Sequence, residues 1–166
     1  MEISDANKLT AKQSLLKVRT SLMAGQKDIL NYLKEIFERE NDRAVPAGEW
    51  LHILMGSQRY EWLRELTSLI ADVDIVTELE NVDDVHAGFV RAEVERLFFK
   101  SDVASEFGSQ YRKMMTTDAP FMLTQGLLRA DVQKLPVRDI SHEDALEARK
   151  SWQEEHKAQS RRRRSL

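Results

Sequence analysis

The sequence predicts an all-α fold, an elongated antiparallel bundle of three long helices followed by two shorter C-terminal helices. The first observation is a seven-residue repeat of adjacent apolar pairs: Leu15-Leu16, Leu22-Met23, Ile29-Leu30 and Ile36-Phe37. Such a repeat keeps one side of an α-helix against a neighbour, because seven residues are close to two helical turns. The second observation is that only three prolines and six glycines are spread over 166 residues, with no useful β-alternation.

The first helix carries this repeat and is the longest continuous apolar pattern. We expect it to begin near Ser4 or Asp5, whose side chains can accept hydrogen bonds from free first-turn amides. It extends to about Asn41, and Gly25 in its apolar face permits close approach of a neighbouring helix. Polar residues 40–43 then form a connection, and Pro46 fits the first turn of the next helix.

The second and third helices are predicted from two further apolar stripes. The stripe of the second helix has steps of three and four residues, with one exception: Leu51, Met55, Trp62, Leu66, Leu69, Val73 and Val76. Residues 81–84 break the pattern, and Asp83 or Asp84 caps a third helix that extends to Met115. Each of the three helices would be about 45 to 50 Å long. Such short connections make neighbouring helices antiparallel.

Two shorter helices complete the prediction. One contains Phe121 and Val132 and is interrupted at Leu135-Pro136. The other starts at Ser141, where Asp144 completes a likeness to a capping box. This last helix has four apolar residues to bury, and it is polar on all sides beyond the last of them: Ala145, Leu146, Ala148 and Trp152. We assign residues 1–158 to a single bundle domain and 159–166 to a flexible basic tail.

The composition excludes several classes of function. The chain has no cysteine, which excludes thiol catalysis, thiolate metal sites and disulfides. No window approaches the 18 apolar residues that a membrane span needs, so we expect none. Charged residues at positions 5, 8 and 12 interrupt the apolar core of a signal peptide. A cytoplasmic protein is therefore expected.

The candidate metal motifs are three acids that each precede a histidine by three residues: Glu49 and His52, Asp83 and His86, and Asp139 and His142. A pair of such motifs can hold a dinuclear site in a helical bundle. The first two motifs, however, start successive antiparallel helices and would lie about 45 Å apart. We therefore expect no metal and no cofactor. Catalytic motifs of the nucleophile-elbow, phosphate-loop and dinucleotide-binding kinds are absent, so a non-enzyme is favoured.

Gln58 and Arg59 form the best candidate for a site, because they stand where the second stripe lacks an apolar residue. Such an interruption indicates a hydrogen-bond network or a pocket. In the favoured, structural interpretation, Gln58 bonds a neighbouring helix and Arg59 keeps its head in water. In the functional one, Arg59 pairs with an anionic ligand whose apolar part is enclosed by Trp62 and Tyr111.

Charge is distributed unevenly along the chain. Six acids without a base form an acidic cluster: Asp72, Asp74, Glu78, Glu80, Asp83 and Asp84. The tail carries four consecutive arginines: Arg161, Arg162, Arg163 and Arg164. Without these four, 21 basic and 28 acidic residues remain, a net charge of −7 that would repel phosphate. Nucleic-acid binding is therefore not expected. The simplest interpretation is two solvated ends; the functional one is that the tail engages acidic protein surface, including the acidic cluster.

These observations favour a non-enzymatic protein that acts in protein–protein interaction or assembly through its helix faces. The double stripe of the first helix is wide enough for two or more neighbours, so a monomer can leave part of it uncovered. The partner would be another protein or a second copy, in a homodimer. The alternative is a small-molecule-binding bundle, which includes enzymes, with a pocket around Gln58 and Arg59.

Overall fold

A computed structural model describes residues 10–100 and 105–165. These residues form seven α-helices and no strand: α1 (Ala11–Asn41), α2 (Ala47–Gly56), α3 (Arg64–Glu78), α4 (Asp84–Val94), α5 (Glu106–Thr117), α6 (Ala119–Gln133) and α7 (His142–Arg164). A 3₁₀ segment, Gln58–Leu63, leads into α3, and a π-helical segment, Glu95–Phe99, extends α4. The predicted all-α class is confirmed. No helix of the described residues is both long and apolar enough to cross a membrane.

Helix α1 is the centre of the fold and packs against α3, α4 and α6. Its predicted end at Asn41 is confirmed, whereas the predicted start at Ser4 or Asp5 lies outside the described residues. Within them, the Thr10 hydroxyl accepts a hydrogen bond from the Gln13 amide and begins the helix. Three of the four first members of the apolar pairs are buried, as the heptad repeat requires: Leu15, Leu22 and Ile29; Ile36 is half-buried.

The prediction of a second long helix is wrong, because the helix is interrupted at Ser57. Ser57 is extended, with φ −94° and ψ 132°, and its hydroxyl accepts from the Arg59 amide at the start of the 3₁₀ segment. A straight helix would separate Trp50 and Tyr60 by about 15 Å along its axis. The break instead brings their ring centroids to 5.4 Å, and Trp50 also packs on Phe37 of α1. Burial of both rings is therefore the physical reason for the break.

The predicted third long helix is also divided. The π-helical segment gives way to extended backbone at Lys100, and α5 starts after Ser105, which caps it. The division lets the chain fold back, so that Phe98 lies 5.1 Å from Phe107 and 5.0 Å from Tyr111 between ring centroids. The predicted cap at Asp83 is confirmed. Among the described residues, α1 is the one helix of the predicted length, so the arrangement of three long helices is not observed.

Both predicted C-terminal helices are present, and the last one begins after Ser141 as predicted. Asp118 caps α6, and Ser141 caps α7. Trp152 is buried in a T-shaped contact with Phe89, but Leu146, which was expected to be buried, is 46% exposed. Helix α7 continues without a break through residue 158 to Arg164, so the predicted domain boundary does not coincide with the helix end. The flexibility of residues 159–166 remains a prediction.

Candidate functional site

The structure places Gln58 and Arg59 on the surface, in the 3₁₀ segment. The Arg59 guanidinium donates two hydrogen bonds to the Glu40 carboxylate of α1, at 2.6 and 2.8 Å. These bonds are the main reason why the pKa of Glu40 is lowered. Arg59 thus has an anionic partner within the chain. For Arg59, this geometry resembles the structural interpretation more than the ligand-binding one.

Trp62 and Tyr111 lie in different surroundings from Arg59. Both contact Phe107, with ring centroids 5.8 Å away in each case. Tyr111 is buried, which raises the pKa of its hydroxyl, and it donates a hydrogen bond to Gln125. The Gln125 amide abuts Gly25 of α1, whereas Arg59 is bound to Glu40, about 22 Å further along that helix. The structure therefore does not bring the four predicted residues into one pocket.

A groove of about 510 Å³ lies next to the break at Ser57, between α1, α2, the 3₁₀ segment and α3. We call it the α1–α2 groove. Gln58 and Arg59 do not line it. Its walls are mainly apolar and include Leu30, Leu51, Leu54, Met55, Tyr60 and Leu63. The sequence analysis did not predict this groove. The interruption of the apolar stripe between Met55 and Trp62 was the feature that indicated a break there.

The hydroxyl of Tyr60 is the one buried polar atom of the groove walls that stands out. Tyr60 is 4% exposed, and its hydroxyl has no hydrogen-bond partner among the described residues. Burial raises the pKa of Tyr60, against the opposing effect of the nearby Arg59 charge. Buried polar groups normally have partners, so this hydroxyl is an unsatisfied group in the wall of the groove.

The second members of the apolar pairs in α1 lead to this groove. Leu16 is 38% exposed and Met23 47% exposed, whereas Leu30 lines the groove itself. Their spacing of seven residues places them on one side of α1, over about 21 Å. At the groove, Leu51 and Met55 of α2 are 57% and 74% exposed. We call the four exposed residues, Leu16, Met23, Leu51 and Met55, the apolar flank.

A buried ion network, which sequence reasoning did not find, joins α3, α4 and α7. Arg149 donates to Asp72 at 2.6 Å, to Glu93 at 2.9 Å and to Ser68 at 3.1 Å. The three charged side chains are at most 7% exposed. We call Asp72, Glu93 and Arg149 the ionic junction. Gln153 donates to Asp72, and Arg96 donates to Glu93, so both carboxylates have further partners.

The predicted acidic cluster is not one open surface. Besides Asp72 in the ionic junction, three of its members lie near basic side chains: Asp74 near Arg19 at 2.6 Å, Glu78 near His156 at 2.8 Å, and Glu80 near Arg162 at 3.9 Å. Asp83 caps α4. Partial burial raises its pKa, but hydrogen bonds from the His86 and Val85 amides and the charge of His86 outweigh this, so the pKa is lowered. Arg162 thus brings the basic tail beside the cluster within one chain.

The three acid–histidine motifs do not assemble a metal centre. Asp83 and His86 form a capping pair, and His142 contacts Glu93 of the ionic junction at 3.0 Å. Glu49 instead pairs with Arg43. In the part of the chain that the structure describes, no group of three or more metal-binding side chains is close enough to hold an ion.

Comparisons with known proteins found no relative of this chain. No family model matches the chain, and neither a curated protein nor a solved structure matches it. The functional argument therefore depends on the α1–α2 groove, the apolar flank and the polar groups beside them.

Proposed function

We propose that this chain is a non-enzymatic binding protein that receives an apolar helix of a protein partner along its apolar flank and in the α1–α2 groove. The observation that supports this most is the alignment of the two features along one side of α1. Exposed Leu16 and Met23 lie on the same side of α1 as Leu30, where the groove opens beside Met55. Exposed apolar side chains next to an apolar groove are typical of an interaction site.

The shape of the surface favours a helical segment as the partner. Leu16 and Leu30 are about 21 Å apart, the length of about four helical turns. A partner helix with apolar residues three, four and seven positions apart would therefore contact the flank along its length. A large side chain of the partner would enter the groove, where Met55 can adapt its shape to it. Central buried side chains of this kind supply most of the binding energy at interfaces.

Polar groups around the groove would set the orientation of the partner. Glu61 and Arg64 line it beside the apolar residues, so charges of both signs are present. The Tyr60 hydroxyl, which has no partner among the described residues, would bond a polar group of the bound segment once the wall around it opens on binding. The rim charges thus supply specificity, and the apolar walls supply affinity.

A small apolar ligand in the same groove is the second candidate function. The volume of about 510 Å³ is within the usual range of ligand sites, and the walls are mainly apolar. In this form, the earlier pocket hypothesis is moved from Gln58 and Arg59 to the neighbouring groove. A ligand of this kind would raise the melting temperature by itself, because it binds the folded chain only.

The test is a selection of displayed amphipathic helices on the full chain, followed by variants in the groove. We expect selected helices to lose at least tenfold in affinity with Met55→Glu, because the charge would be buried in an apolar contact. Val137→Glu is the matched control, since Val137 is equally exposed at 77% but lies outside the groove. Equal losses in both variants, or no selected helix at all, would contradict the proposal.

Light scattering would show whether the partner is a second copy of this chain. A dimer that forms with increasing concentration, and that Met55→Glu abolishes, identifies the homodimer. A monomer at high micromolar concentration, together with helix binding, identifies a different partner.

A further inference from the structure

The outward side of α6 carries apolar side chains that the described part of the chain leaves exposed. Leu123 is 75% exposed, Leu127 69% and Met122 49%. Leu123 and Leu127 point away from Gln125 and Val132, which are buried against the rest of the fold. We call Met122, Leu123 and Leu127 the α6 ridge. None of its residues lines the α1–α2 groove, so it is a separate surface.

The composition of α6 indicates that something covers the ridge. Two of the 15 residues in this helix, Arg129 and Asp131, are charged. So few charges are typical of a helix that is covered on all sides. Within the chain, α6 packs against α1, α4 and α5 on its inner sides. The outer side therefore indicates an interface with another molecule.

Gly126, beside the ridge, would let a second helix approach closely. A glycine inside a helix costs about 1 kcal/mol relative to alanine. No contact among the described residues requires it, because a Cβ at Gly126 would meet no atom within 4 Å. The spacing of Ala119, Leu123, Gly126 and Ala130 alternates between four and three residues, as in the seam of a coiled coil. This seam is about 17 Å long.

The side of the ridge that faces α1 is acidic. A small cavity of about 180 Å³ lies there, and Pro120 and Thr124 of α6 line it together with Asp28 and Glu35 of α1. Asp118, which precedes α6, also lines it. Among the described residues of this lining, none is basic.

The side of the ridge that faces α5 is basic. A cavity of about 390 Å³ lies between the π-helical segment, α5 and α6, and Met122 of the ridge lines it. Arg112 of α5 and Arg129 of α6 line it as well, and no acid is present among the described lining residues. The ridge thus has opposite charges on its two sides.

From this charge distribution we infer that the α6 ridge is a dimer interface, in which the α6 helices of two copies of this chain pack parallel to each other around a two-fold axis. Such an axis brings the acidic side of each copy beside the basic side of the other. An antiparallel pair would bring acid beside acid and base beside base, which is unfavourable. An anionic membrane would attract the basic side and repel the acidic one, so a second copy fits the ridge better.

The expected dimer is weak. Two helices of this length cannot by themselves bury the roughly 1,200 to 2,000 Å² of a stable complex, so the charged sides contributed by α1 and α5 have to take part. We therefore expect the dimer to form at micromolar to millimolar concentration. This inference goes beyond the groove proposal, because it concerns a different surface and a second copy of the same chain.

Cysteine substitutions test the geometry, because the chain has no cysteine of its own. In a parallel pair each seam residue meets its own copy, so Ala119→Cys and Ala130→Cys should each form a covalent dimer under mild oxidation. In an antiparallel pair neither variant would cross-link alone, whereas a mixture of the two would. Leu146→Cys is the control, since Leu146 is 46% exposed but lies on α7, and it should stay monomeric.

A pair of glutamate substitutions tests the ridge itself. Leu123→Glu should raise the dissociation constant of the dimer at least tenfold in sedimentation equilibrium, because a charge would be buried in an apolar contact. Leu146→Glu is the matched control and should leave the constant unchanged. Circular dichroism of each variant checks that the fold is retained.

Charge reversal tests the pairing of the two sides. Asp28→Lys combined with Glu35→Lys should weaken the dimer about threefold to tenfold, because both sides would then be basic. Arg112→Glu combined with Arg129→Glu should weaken it by a similar factor. All four substitutions together place opposite charges across the interface again, so the affinity should return.

Four results would overturn the inference. They are a monomer at millimolar concentration, cross-linking from the cysteine mixture alone, a fourfold charge variant weaker than either pair, and a monomer that binds phosphatidylserine vesicles unless Leu123 is changed to glutamate. The outcome is independent of the groove proposal: an α6 dimer persists with Met55→Glu, because Met55 lies outside the ridge.

Discussion

The ionic junction and the α1–α2 groove both contain buried polar groups. Those of the junction have hydrogen-bond partners within the chain, whereas the groove contains one that has none among the described residues. In the junction, all three guanidinium nitrogens of Arg149 donate to partners within the chain. In the groove, the Tyr60 hydroxyl has no partner among the described residues, and Met55 beside it is 74% exposed. A network satisfied inside the chain specifies the packing of helices, whereas an unsatisfied group beside exposed apolar surface indicates a binding site.

The junction also fixes one arrangement of helices. Asp72 is on α3, Glu93 on α4 and Arg149 on α7, so one guanidinium joins three helices. A shifted register of α7 would leave Asp72 buried without its Arg149 partner and Glu93 with Arg96 alone of its two arginine partners. We expect the junction to contribute specificity of packing, because the desolvation of buried charges offsets much of their attraction.

The largest expected effect is that of Arg149→Met, which removes the charge shared by both carboxylates. We expect the free energy of unfolding to fall by about 3–5 kcal/mol, because Asp72 and Glu93 remain buried without their main partner. Urea denaturation measures this loss. Lys150→Met is the matched control on the same helix, and its exposed side chain should change stability by less than about 0.5 kcal/mol.

Replacing the whole junction sharpens the comparison. A variant with Asp72→Leu, Glu93→Leu and Arg149→Met together should recover most of the stability that the single substitution loses. If the triple variant is as unstable as Arg149→Met, the junction contributes net stability as well as specificity. If Arg149→Met itself is as stable as the wild type, the structural account of the junction is wrong.

The next prediction compares Tyr111→Phe with Tyr60→Phe, because both substitutions remove a phenolic oxygen. Tyr111→Phe removes the hydrogen bond to Gln125 and leaves that buried amide without a partner, at a cost of about 1–3 kcal/mol. Tyr60→Phe removes a hydroxyl that has no partner among the described residues, so stability should stay equal or rise by up to about 1 kcal/mol. Denaturant titrations of the two variants measure the difference.

A destabilised Tyr60→Phe variant would mean that a partner for this hydroxyl exists in the free chain, such as an ordered water. The groove would then be a completed structural feature, like the ionic junction. A stable variant with altered binding of selected helices would instead place the hydroxyl in the binding site.

Local patterns predicted the elements whose causes are local. The caps at Asp83 and Ser141 and the end of α1 at Asn41 depend on a few neighbouring residues. The breaks at Ser57 and after Phe99 were missed, because apolar spacing continues across a break when both segments face one core. The missing step before Trp62 indicated the first break, but a polar residue in a stripe is also compatible with a straight helix.

The sites depend on residues that lie far apart in the sequence. Arg149 pairs with Asp72, 77 positions away, and no spacing rule connects them. Charged residues such as Glu147 and Lys150 stand beside it, so composition does not distinguish Arg149 from solvated side chains. The groove similarly forms from four separate elements, so neither its volume nor the isolation of the Tyr60 hydroxyl could be derived from periodicity.

The smallest expected effect concerns the basic tail, which contrasts an exposed ion pair with the buried one. Arg162 lies 3.9 Å from Glu80, and both side chains are at least half exposed, so water and salt screen the contact. Changing Arg161–Arg164 to glutamine should lower stability by less than about 1 kcal/mol at low salt, and the difference should disappear at high salt. Helicity by circular dichroism should stay the same, whereas any association at low salt should weaken.

Changing Lys12, Lys17, Lys27 and Lys34 of α1 to glutamine is the control, because it removes the same amount of charge and leaves the tail unchanged. A tail variant that loses far more than this control, or full-length chain that retards DNA at physiological salt, would contradict the assignment of the tail to acidic protein surface.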